Sequence, residues 1–466
     1  MVSGGFKRFE WRFSPADWRG RHRICRELLI HPATAQVLFN RGMTSPSEAF
    51  AFLYGAVHHD PFRFLQMEKA VGRIVRAVEE GEGIFVFGDY DVDGITGTVA
   101  LTDYLRRLGA RVGHMVPNRL TEGYDLSPKV VAETKAAGYG LLVTNDCGVT
   151  AHAAAQHAKE LGLDLIITDH HLPDEELPEA HAVINANVAG SGYPFSGLAG
   201  VGTVFKLLSA LSRTLGRGPD PEEYLDLVAL GTVADVVPLT GENRIIVAEG
   251  LRVIGENPGV RELARVAGLN PDALRAEDLG FQLGPRINAA GRLGDAHASL
   301  DLLLSDDERE STRLARELDQ ANRKRREEEA RMLDEAEALL EERSDHPNSI
   351  VLHHPEWSQG IVGIVASRMQ RRYNRPAVLI AMGANGIGKG SARSVAGLDL
   401  SAVLAECSDH LLTFGGHQAA AGLTLEAAEL ERFRARFDEA VAQAMPAFHA
   451  PPLQIDAQAS LSNIDA

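Results

Sequence analysis

Short apolar runs alternate with longer helix-like segments between residues 84 and 184. The apolar runs are GIFVFGDYD, RVGHMVP, GLLVTNDCG, LDLIITDHH and AHAVINAN. This alternation predicts an α/β fold with right-handed crossovers and a largely parallel sheet covered on both faces. Ligands gather beyond the carboxyl ends of such strands, and three of the runs end there in acids, at Asp89, Asp146 and Asp169.

A second, smaller α/β unit is expected after a long charged segment. Residues 306–343 show helical periodicity and dense charge without Gly or Pro, which predicts one helix on the order of 50 Å long. We interpret it as a connection between domains; a solvated surface helix of the first domain is the alternative. Beyond it, strand-like SIVLHH and RPAVLIAM flank helix-like GIVGIVASRMQRRY, and the Gly-rich GIGKGSARS and TFGGHQAAAGLTL follow.

The 466-residue length suggests roughly two to four domains. We expect a helical preface over 1–70 with a capped helix start in TSPSEAFAFL, the first α/β domain over 71–305, the connecting helix over 306–343 and the second domain over 344–450. Residues 451–466 resemble the opening of a further domain, so the chain is either a natural short form or a truncated core.

Composition excludes several classes of protein. The balance of 45% hydrophobic and 24% charged residues is that of a folded globular chain, and no apolar run is long enough to span a bilayer, so the cytoplasm is expected. Three scattered cysteines support neither a disulfide framework nor a thiolate zinc site. The net charge of −17 argues against non-specific coating of nucleic acid but allows a local basic channel.

Acids and histidines at the strand ends are candidate metal ligands. In GDYDVDGITGT, Asp89, Asp91 and Asp93 alternate after a buried strand, where a merely solvated turn is unexpected. Asp146 ends a second strand, and Asp169, His170 and His171 end a third. Carboxylates with imidazole suit Mn²⁺ or Mg²⁺, and bridging carboxylates allow two ions about 3.5–4 Å apart.

Asp235, in the apolar segment GTVADVVPL, is a more distant candidate. A cation would compensate for its burial, whereas a helix-end or ion-paired carboxylate is the alternative. Two cations can polarise a phosphodiester, activate a water molecule and stabilise the leaving oxygen. Because no Ser or Cys nucleophile with a supporting base is apparent, direct hydrolysis is favoured over a covalent intermediate.

These motifs resemble the DHH phosphoesterase superfamily and, within it, the RecJ family of single-stranded-DNA exonucleases, over nearly the whole chain. The matching segments are GDYDVDG, VPNRLTEGYDL, VTNDCG, TDHH, YPFSGLAGVGTVFK, GTVADVVPL, FQLGPRINAAGRLGDA, HPEWSQGIVGIVASRM, GSARS and FGGHQAAAGLTL. The resemblance implies that 71–305 is the DHH catalytic domain, 344–450 the DHH-associated C-terminal domain, and 451–466 the start of an OB-like domain.

The resemblance also implies the ligand set for two Mn²⁺ or Mg²⁺ ions. It assigns the ions to Asp91, Asp93, Asp146, His170 and Asp235, with Asp89 supporting the first motif and His171 a close ligand or orienter. One departure is visible, because Asn145 stands where an apolar residue is expected before the acid.

Basic and small residues are the candidate substrate contacts. Arg286, Asn288 and Arg292 place polar groups among small residues, which lets phosphate approach the backbone. In the second domain, the candidates for a phosphate pocket are Ser391, Arg393, Gly415, Gly416 and His417. Turn chemistry is the alternative reading for each of these motifs taken alone.

The resemblance implies a 5′ to 3′ exonuclease that hydrolyses single-stranded DNA in repair and recombination, with a cleft between the two domains. Single-strand-binding protein and a helicase are the candidate protein partners. One alternative is a phosphodiesterase acting on short oligonucleotides or cyclic dinucleotides, but such relatives are shorter and usually lack the long helix. Another is a catalytically silent replication scaffold, which would lose metal ligands that this sequence retains.

Overall fold

The computed structural model describes residues 11–14, 17–55, 58–118, 123, 125–293, 296–342, 348–445 and 453–460. Some residues of the predicted segments lie outside these described ranges. They are parts of 1–70, 116–126, 284–296 and 451–466, and the ends of 306–343 and 344–450. Within the described ranges, no helix is both long enough and apolar enough to cross a membrane.

Twelve strands and eighteen α-helices are named here in chain order. The strands are β1 Trp11–Phe13, β2 Ile84–Gly88, β3 Val112–Met115, β4 Leu141–Asn145, β5 Asp164–Thr168, β6 Ala182–Ile184, β7 Ile350–His354, β8 Ala377–Met382, β9 Ile387–Arg393, β10 Thr413–Gly416, β11 Ala420–Glu426 and β12 Leu453–Ile455. The helices are α1 Trp18–Leu28, α2 Pro32–Asn40, α3 Pro46–Tyr54, α4 Met67–Glu80, α5 Val92–Arg107, α6 Pro128–Ala136, α7 His152–Leu161, α8 Gly200–Leu215, α9 Leu225–Ala234, α10 Gly241–Val253, α11 Pro258–Val266, α12 Ala276–Asp278, α13 Gly284–Leu293, α14 His297–Leu304, α15 Glu308–Glu341, α16 Val362–Tyr373, α17 Leu400–Ala405 and α18 Leu430–Ala444.

The chain forms two compact units. One comprises residues 51–323, and the other comprises the described residues of 1–50 together with those of 324–466. Helix α15 begins in the first unit and ends in the second, which confirms the predicted long connecting helix. Ion pairs one turn apart support this helix, for example Arg331 Nη1 to Glu335 Oε1 at 2.8 Å.

A five-stranded parallel sheet organises the unit formed by residues 51–323. Its strand order is β3-β2-β4-β5-β6. Val86 and Val143 share a core with α5 and α8, whereas Phe87 and Leu142 pack with α6 and α7 on the opposite face. The predicted parallel sheet with two helical layers is therefore confirmed. The strand order reverses between β2 and β4, which is where such sheets bind ligands.

A mixed five-stranded sheet, with order β10-β11-β9-β8-β7, organises the other unit. Strands β7 and β8 are parallel and the remaining pairs are antiparallel. Phe433 and Phe437 of α18 pack in a core with Val378 and Ile380 of β8. In the same unit β1 pairs in parallel with β12, a long-range contact that the sequence analysis did not predict.

A buried ionic network joins α8 to α10 in the larger unit. Glu242 Oε1 accepts hydrogen bonds from Lys206 Nζ at 2.6 Å and from the backbone N–H of His59 at 2.7 Å. Glu242 Oε2 accepts a third from the Tyr193 hydroxyl at 2.5 Å. Burial opposes ionisation, but the neighbouring His58 imidazole, 3.8 Å away, and the charge of Lys206 outweigh it and lower the pKa of Glu242 to about 2.

We expect Glu242→Gln to lower the free energy of unfolding by about 3–5 kcal/mol, because the buried Lys206 ammonium loses its counter-charge. Glu249→Gln is the matched control, since its half-exposed carboxylate contacts His58 and should contribute less than about 1 kcal/mol. Chemical denaturation measures both values. Because folding depresses the pKa of Glu242, its contribution is full above pH 4.5 and is lost as the pH falls toward 2. Equal losses in the two variants would contradict this assignment.

Candidate metal centre

Three adjacent strands end side by side and bring their terminal acids together. Gly88 of β2 pairs with Asn145 of β4, and Asn145 pairs with Thr168 of β5. The next residues, Asp89, Asp146 and Asp169, therefore follow at one edge of the sheet, as the sequence predicts. All three are buried.

The start of α5 supplies two further carboxylates. Asp91 caps this helix, with Oδ1 accepting from the backbone N–H of Asp93 at 3.0 Å. The carboxylate of Asp93 accepts from the N–H groups of Gly200 at 2.6 Å and Val201 at 2.7 Å. These donors lie at the positive end of the α8 dipole, which favours a negative charge on Asp93. The segment around Gly200 stands out in the sequence as a motif, but its role as a donor to Asp93 depends on a long-range contact that no local pattern predicts.

Asp146 occupies a strained backbone position, with φ of +62° directly after β4. Aspartate tolerates this left-handed region better than most residues, because its short side chain can bond locally. A Cβ atom at Gly200 would lie 2.6 Å from Cβ of Asp146, so only glycine allows α8 to approach so closely. The strand end and the α8 N-terminus thus hold Asp146 in one position.

Asn145, which departs from the expected apolar residue, has a structural role. It is fully buried, and its Nδ2 donates to the carbonyl oxygen of Gly94 at 2.8 Å. A Cβ at Gly97 would overlap the Asn145 amide, so α5 packs closely against this side chain. The departure therefore ties the end of β4 to the first turn of α5.

Asp169 orients the two histidines. Its Oδ1 accepts from the backbone N–H groups of His170 at 2.7 Å and His171 at 3.1 Å, and lies 2.8 Å from Nδ1 of His171. Asn185 and Asn187 donate to the carbonyl oxygens of His171 and His170, at 2.8 Å and 2.5 Å. The sequence analysis missed both asparagines, although they follow β6 in the run AHAVINAN.

Asp235 is brought to the same place by the end of α9. Its Oδ2 lies 3.6 Å from Nε2 of His170. The next residue, Val236, has φ of +64°, which is costly for a β-branched side chain. Backbone strain of this kind concentrates at functional sites, so we attribute it to the placement of Asp235.

The ligand atoms converge without bonding to one another. His170 Nε2 is 3.0 Å from Asp146 Oδ1 and 3.8 Å from Asp93 Oδ2. His170 Nε2, Asp146 Oδ1 and Asp235 Oδ2 are buried, and none has a hydrogen-bond partner within the described part of the chain. Such orphaned polar atoms are rare in proteins, and divalent cations would satisfy them.

Three overlapping groups have donor atoms close enough to hold an ion. They are Asp89, Asp91 and Asp146; Asp93, His170 and Asp235; and Asp146, His170 and His171. Asp146 and His170 each occur in two groups, but only the carboxylate of Asp146 has two oxygens with which to contact two neighbouring ions. The geometry therefore fits the predicted pair of ions, and the groups contain seven of the eight acid and histidine candidates. The eighth, Asp169, orients the histidines.

The electrostatics of the site also favour the binding of cations. Burial raises the pKa of Asp93 well above its usual value, and the neighbouring charge of Asp235 adds to the effect. Burial and the charge of Asp93 do the same to the pKa of Asp146. Burial, with the nearby charge of His171, lowers the pKa of His170 to about 4, which leaves the neutral imidazole that a metal ligand needs.

The predicted substrate contacts of the larger unit lie on α13, beside the acids. A Cβ at Gly291 would lie 3.4 Å from the carbonyl oxygen of Tyr90, so this helix passes the first acidic motif. Asn288 and Arg292 are half-buried and one helical turn apart, so they share a face. Arg286 is buried, and its Nε donates to Asp319 Oδ1 at 3.0 Å. Its position thus supports the packing of α13 on α15.

The predicted contacts of the smaller unit line one part of its sheet. Gly415, Gly422 and Ser391 are direct neighbours across β10, β11 and β9. A Cβ at Gly415 or Gly422 would meet open space, which leaves their backbones accessible. Arg393 Nη1 donates to Ser391 Oγ at 2.8 Å.

Gly416 and His417 complete this group at the edge of the sheet. Gly416 has φ of +148°, a conformation that favours glycine, and His417 is exposed. The N–H of His417 donates to the carbonyl oxygen of Ala420 at 2.8 Å, which fixes the turn.

Fold and site together define the class of DHH phosphoesterases. Residues 83–232 match the DHH family, N-terminal domain, and residues 346–443 match the DHHA1 domain. The chain is 43% identical to the single-stranded-DNA-specific exonuclease RecJ of Salmonella typhimurium, over 89% of this chain and 75% of that protein. It is 40% identical to the RecJ of Bacillus subtilis, over 93% of this chain but 55% of that protein.

A solved structure shows the same architecture. The RecJ of Thermus thermophilus in complex with Mn²⁺ matches with a TM-score of 0.83 and 34% identity, covering 96% of this chain and 64% of that one. The chain belongs to the RecJ family. It spans about half to three quarters of the length of these relatives.

We expect Asp146→Asn to abolish most of the rise in melting temperature that Mn²⁺ produces. A ligand at one hundred times its Kd stabilises a protein by about 2.7 kcal/mol, and removing a shared carboxylate weakens both ion sites. Asparagine tolerates the left-handed conformation, so the variant should fold as stably as the wild type in chelator. Differential scanning fluorimetry with and without Mn²⁺ measures this, with the exposed Asp174→Asn as control. An unchanged Mn²⁺-induced shift in Asp146→Asn would contradict the assignment.

Proposed function

We propose that this chain is a metal-dependent exonuclease that hydrolyses single-stranded DNA from the 5′ end. The observation that carries the proposal is the convergence of buried, unpaired carboxylate and imidazole atoms at the carboxyl edge of the parallel sheet. The substrate is inferred from family membership, because relatives over most of this chain are single-stranded-DNA-specific exonucleases.

The residues that would hold two Mn²⁺ or Mg²⁺ ions are Asp89, Asp91, Asp93, Asp146, His170 and Asp235. Bound there, the cations would polarise the phosphodiester and lower the pKa of an attacking water molecule. Asp146 would contact both ions, since its buried carboxylate belongs to two of the donor groups.

His171 differs from these proposed ligands in its protonation. Burial disfavours its protonated form, but the hydrogen bond and charge of Asp169 prevail and raise the pKa of His171 to about 9. Because Nδ1 faces Asp169, Nε2 is the atom left, and in the protonated ring it would donate to a phosphate oxygen.

A covalent mechanism finds no support in the nearest thiol. Burial raises the pKa of Cys147 well above its usual value, so this side chain is not a thiolate at neutral pH. Direct attack by water is therefore the mechanism that we propose.

The sheet of the smaller unit would bind the terminal phosphate of the substrate. Arg393 offers the charge, Ser391 a hydroxyl and Gly415 accessible backbone, and the exposed Gly416 follows Gly415 in β10. His417 would add a donor at the edge. In the larger unit, Asn288 and Arg292 are the proposed contacts to the strand near the acids, and Arg286 supports the helix that carries them.

The competing functions are less well supported. A scaffold without activity would have no reason to keep buried carboxylates unpaired, because each is a cost to folding. A phosphodiesterase of short or cyclic nucleotides would share the metal chemistry, and only its substrate would differ. We further propose the cytoplasm as the site of action, with single-strand-binding protein and a helicase as partners, since both handle the proposed substrate.

We expect the wild type to degrade 5′-labelled single strands to labelled mononucleotide from the outset, and to shorten 3′-labelled strands progressively. Activity should require Mn²⁺ or Mg²⁺ and stop in excess chelator. Asp146→Asn should reduce kcat by about a thousandfold, a loss typical of removing a group that stabilises transition-state charge. Early release of the 3′ label, or equal cleavage of cyclic dinucleotides, would reject the proposed polarity or substrate.

We expect Arg393→Ala to lower kcat/KM on 5′-phosphorylated strands by about thirtyfold, the scale of one charge-assisted hydrogen bond of about 2 kcal/mol. Strands with a 5′ hydroxyl should be affected less, because they lack the terminal phosphate. Arg432→Ala, an exposed arginine of α18 paired with Glu429, is the control and should change neither rate. Equal slowing on both kinds of strand would show that Arg393 does not recognise the terminal phosphate.

A further inference from the structure

The first described residues differ in charge from the rest of the chain. Between Trp11 and Arg26 the sequence contains five arginines and a single acid, although the whole chain carries a net charge of −17. None of these residues belongs to the metal centre or to the predicted substrate contacts. They form part of the smaller unit.

Helix α1 displays its arginines on one side. Arg19, Arg23 and Arg26 are exposed and follow one another at intervals of four and three residues, which places them along one face. The face extends over roughly 10 Å of helix at 1.5 Å per residue. The ion pair described for this face joins Arg23 to Glu27 at 4.0 Å, and such exposed pairs are weak.

This arrangement opposes the stability of the helix. Asp17 caps α1 and supplies the negative charge that the helix dipole favours at the N-terminus, whereas the first turn itself carries arginine rather than an acid. Like charges four residues apart, such as Arg19 and Arg23, also repel each other by a few tenths of a kcal/mol. The arginines of this face therefore repel one another slightly, and a bound anion would relieve that repulsion.

Exposed aromatic rings lie beside these arginines in the sequence. Trp11, Phe13 and Trp18 are 67%, 61% and 69% exposed. Trp11 and Phe13 occupy alternate positions of β1 and therefore share a face. The guanidinium of Arg21 lies over the Trp18 ring, 4.5 Å from its centroid, so cation and ring already form one recognition element.

These side chains are attached to an ordered support. Ile24 of α1 is fully buried. The N–H of Ser14 donates to the carbonyl oxygen of Ile455 at 3.0 Å, and Asn40 Nδ2 donates to the carbonyl oxygen of Asp456 at 2.9 Å. The strand and the helix are thus fixed to the rest of the smaller unit before any ligand arrives.

We propose that this surface binds a stretch of the single-stranded DNA substrate other than its terminal nucleotide. We call it the arginine–tryptophan face and define it by Trp11, Phe13, Trp18, Arg19, Arg23 and Arg26. Arginine pairs with phosphate, and exposed rings stack on bases, each stacked base contributing about 1–3 kcal/mol. Unpaired bases are needed for stacking, so single strands fit this face better than duplex. The inference rests on the proposed function.

The tryptophans provide a direct test. The chain has three, and the third, Trp357, is 4% exposed with its Nε1 bonded to Glu335 at 2.9 Å. Fluorescence quenching by oligo-dT in chelator, where hydrolysis is prevented, would therefore report on Trp11 and Trp18. We expect dT30 to quench the wild type, and the quenching to fall by about half in Trp18→Leu.

Charge variants provide the second measurement. We expect Arg19→Ala/Arg23→Ala to weaken dT30 binding about tenfold and to reduce the slope of log Kd against log salt by about 1.4, which corresponds to two phosphate contacts on a single strand. The KM for dT30 should rise with kcat unchanged, whereas cleavage of dT4 should stay the same. Arg331→Ala/Arg432→Ala removes two exposed arginines of the same unit as the matched control.

The outcomes separate the inference from the proposed function. The inference is overturned, and the proposed function left intact, if the wild type cleaves single strands without tryptophan quenching. The same holds if the Arg19→Ala/Arg23→Ala variant binds dT30 with wild-type affinity. If sedimentation shows self-association that Trp11→Ser/Trp18→Ser abolishes while dT30 binding persists, the face belongs to a second copy of the chain and the inference is wrong. Failure of the wild type to cleave any single strand rejects the proposed function itself.

Discussion

Mutual repulsion among buried carboxylates is the constraint on which the rest of the site depends. Burial raises the pKa of Asp93, Asp146 and Asp235, and the charges of neighbouring carboxylates raise each of them further. The surrounding fold restrains this repulsion with backbone donors at the start of α8, the buried Asn145 amide and the positive φ at Asp146. The same restraint preorganises the ligands, so that cations would meet a site already arranged to receive them.

Much of the parallel sheet and of the acidic cluster at its edge could be predicted from the sequence, because parallel strands buried on both faces have a recognisable local pattern. The runs GIFVF, LLVTN and LIIT identify the strands, and the acids directly after them must then share one edge. Asp235 was harder to place, since the end of a helix fixes no partner. Family resemblance, rather than spacing, connected Asp235 to the same ions.

Other features depend on contacts that no local pattern contains. The pairing of Trp11 with Leu453 joins residues at opposite ends of the chain. The role of Asn145 depends on the distance between β4 and α5, and the packing of Arg286 against Asp319 depends on the course of α15. Arg286 illustrates the difficulty well, because an arginine among small residues has the same sequence pattern whether it binds phosphate or a buried carboxylate.

The two units divide the chemistry of the proposed reaction. Carboxylates that hold cations make one unit unable to attract a polyanion by itself, whereas phosphate recognition needs arginine and exposed backbone N–H groups. Arg393, the glycines of β10 and the arginine–tryptophan face all belong to the unit that does not carry the acidic cluster. Neighbouring guanidinium groups would otherwise satisfy the carboxylates and compete with divalent ions for them. In the proposed function, one chain of net negative charge thus carries an acidic cluster for cations in one unit and a basic surface for nucleic acid in the other.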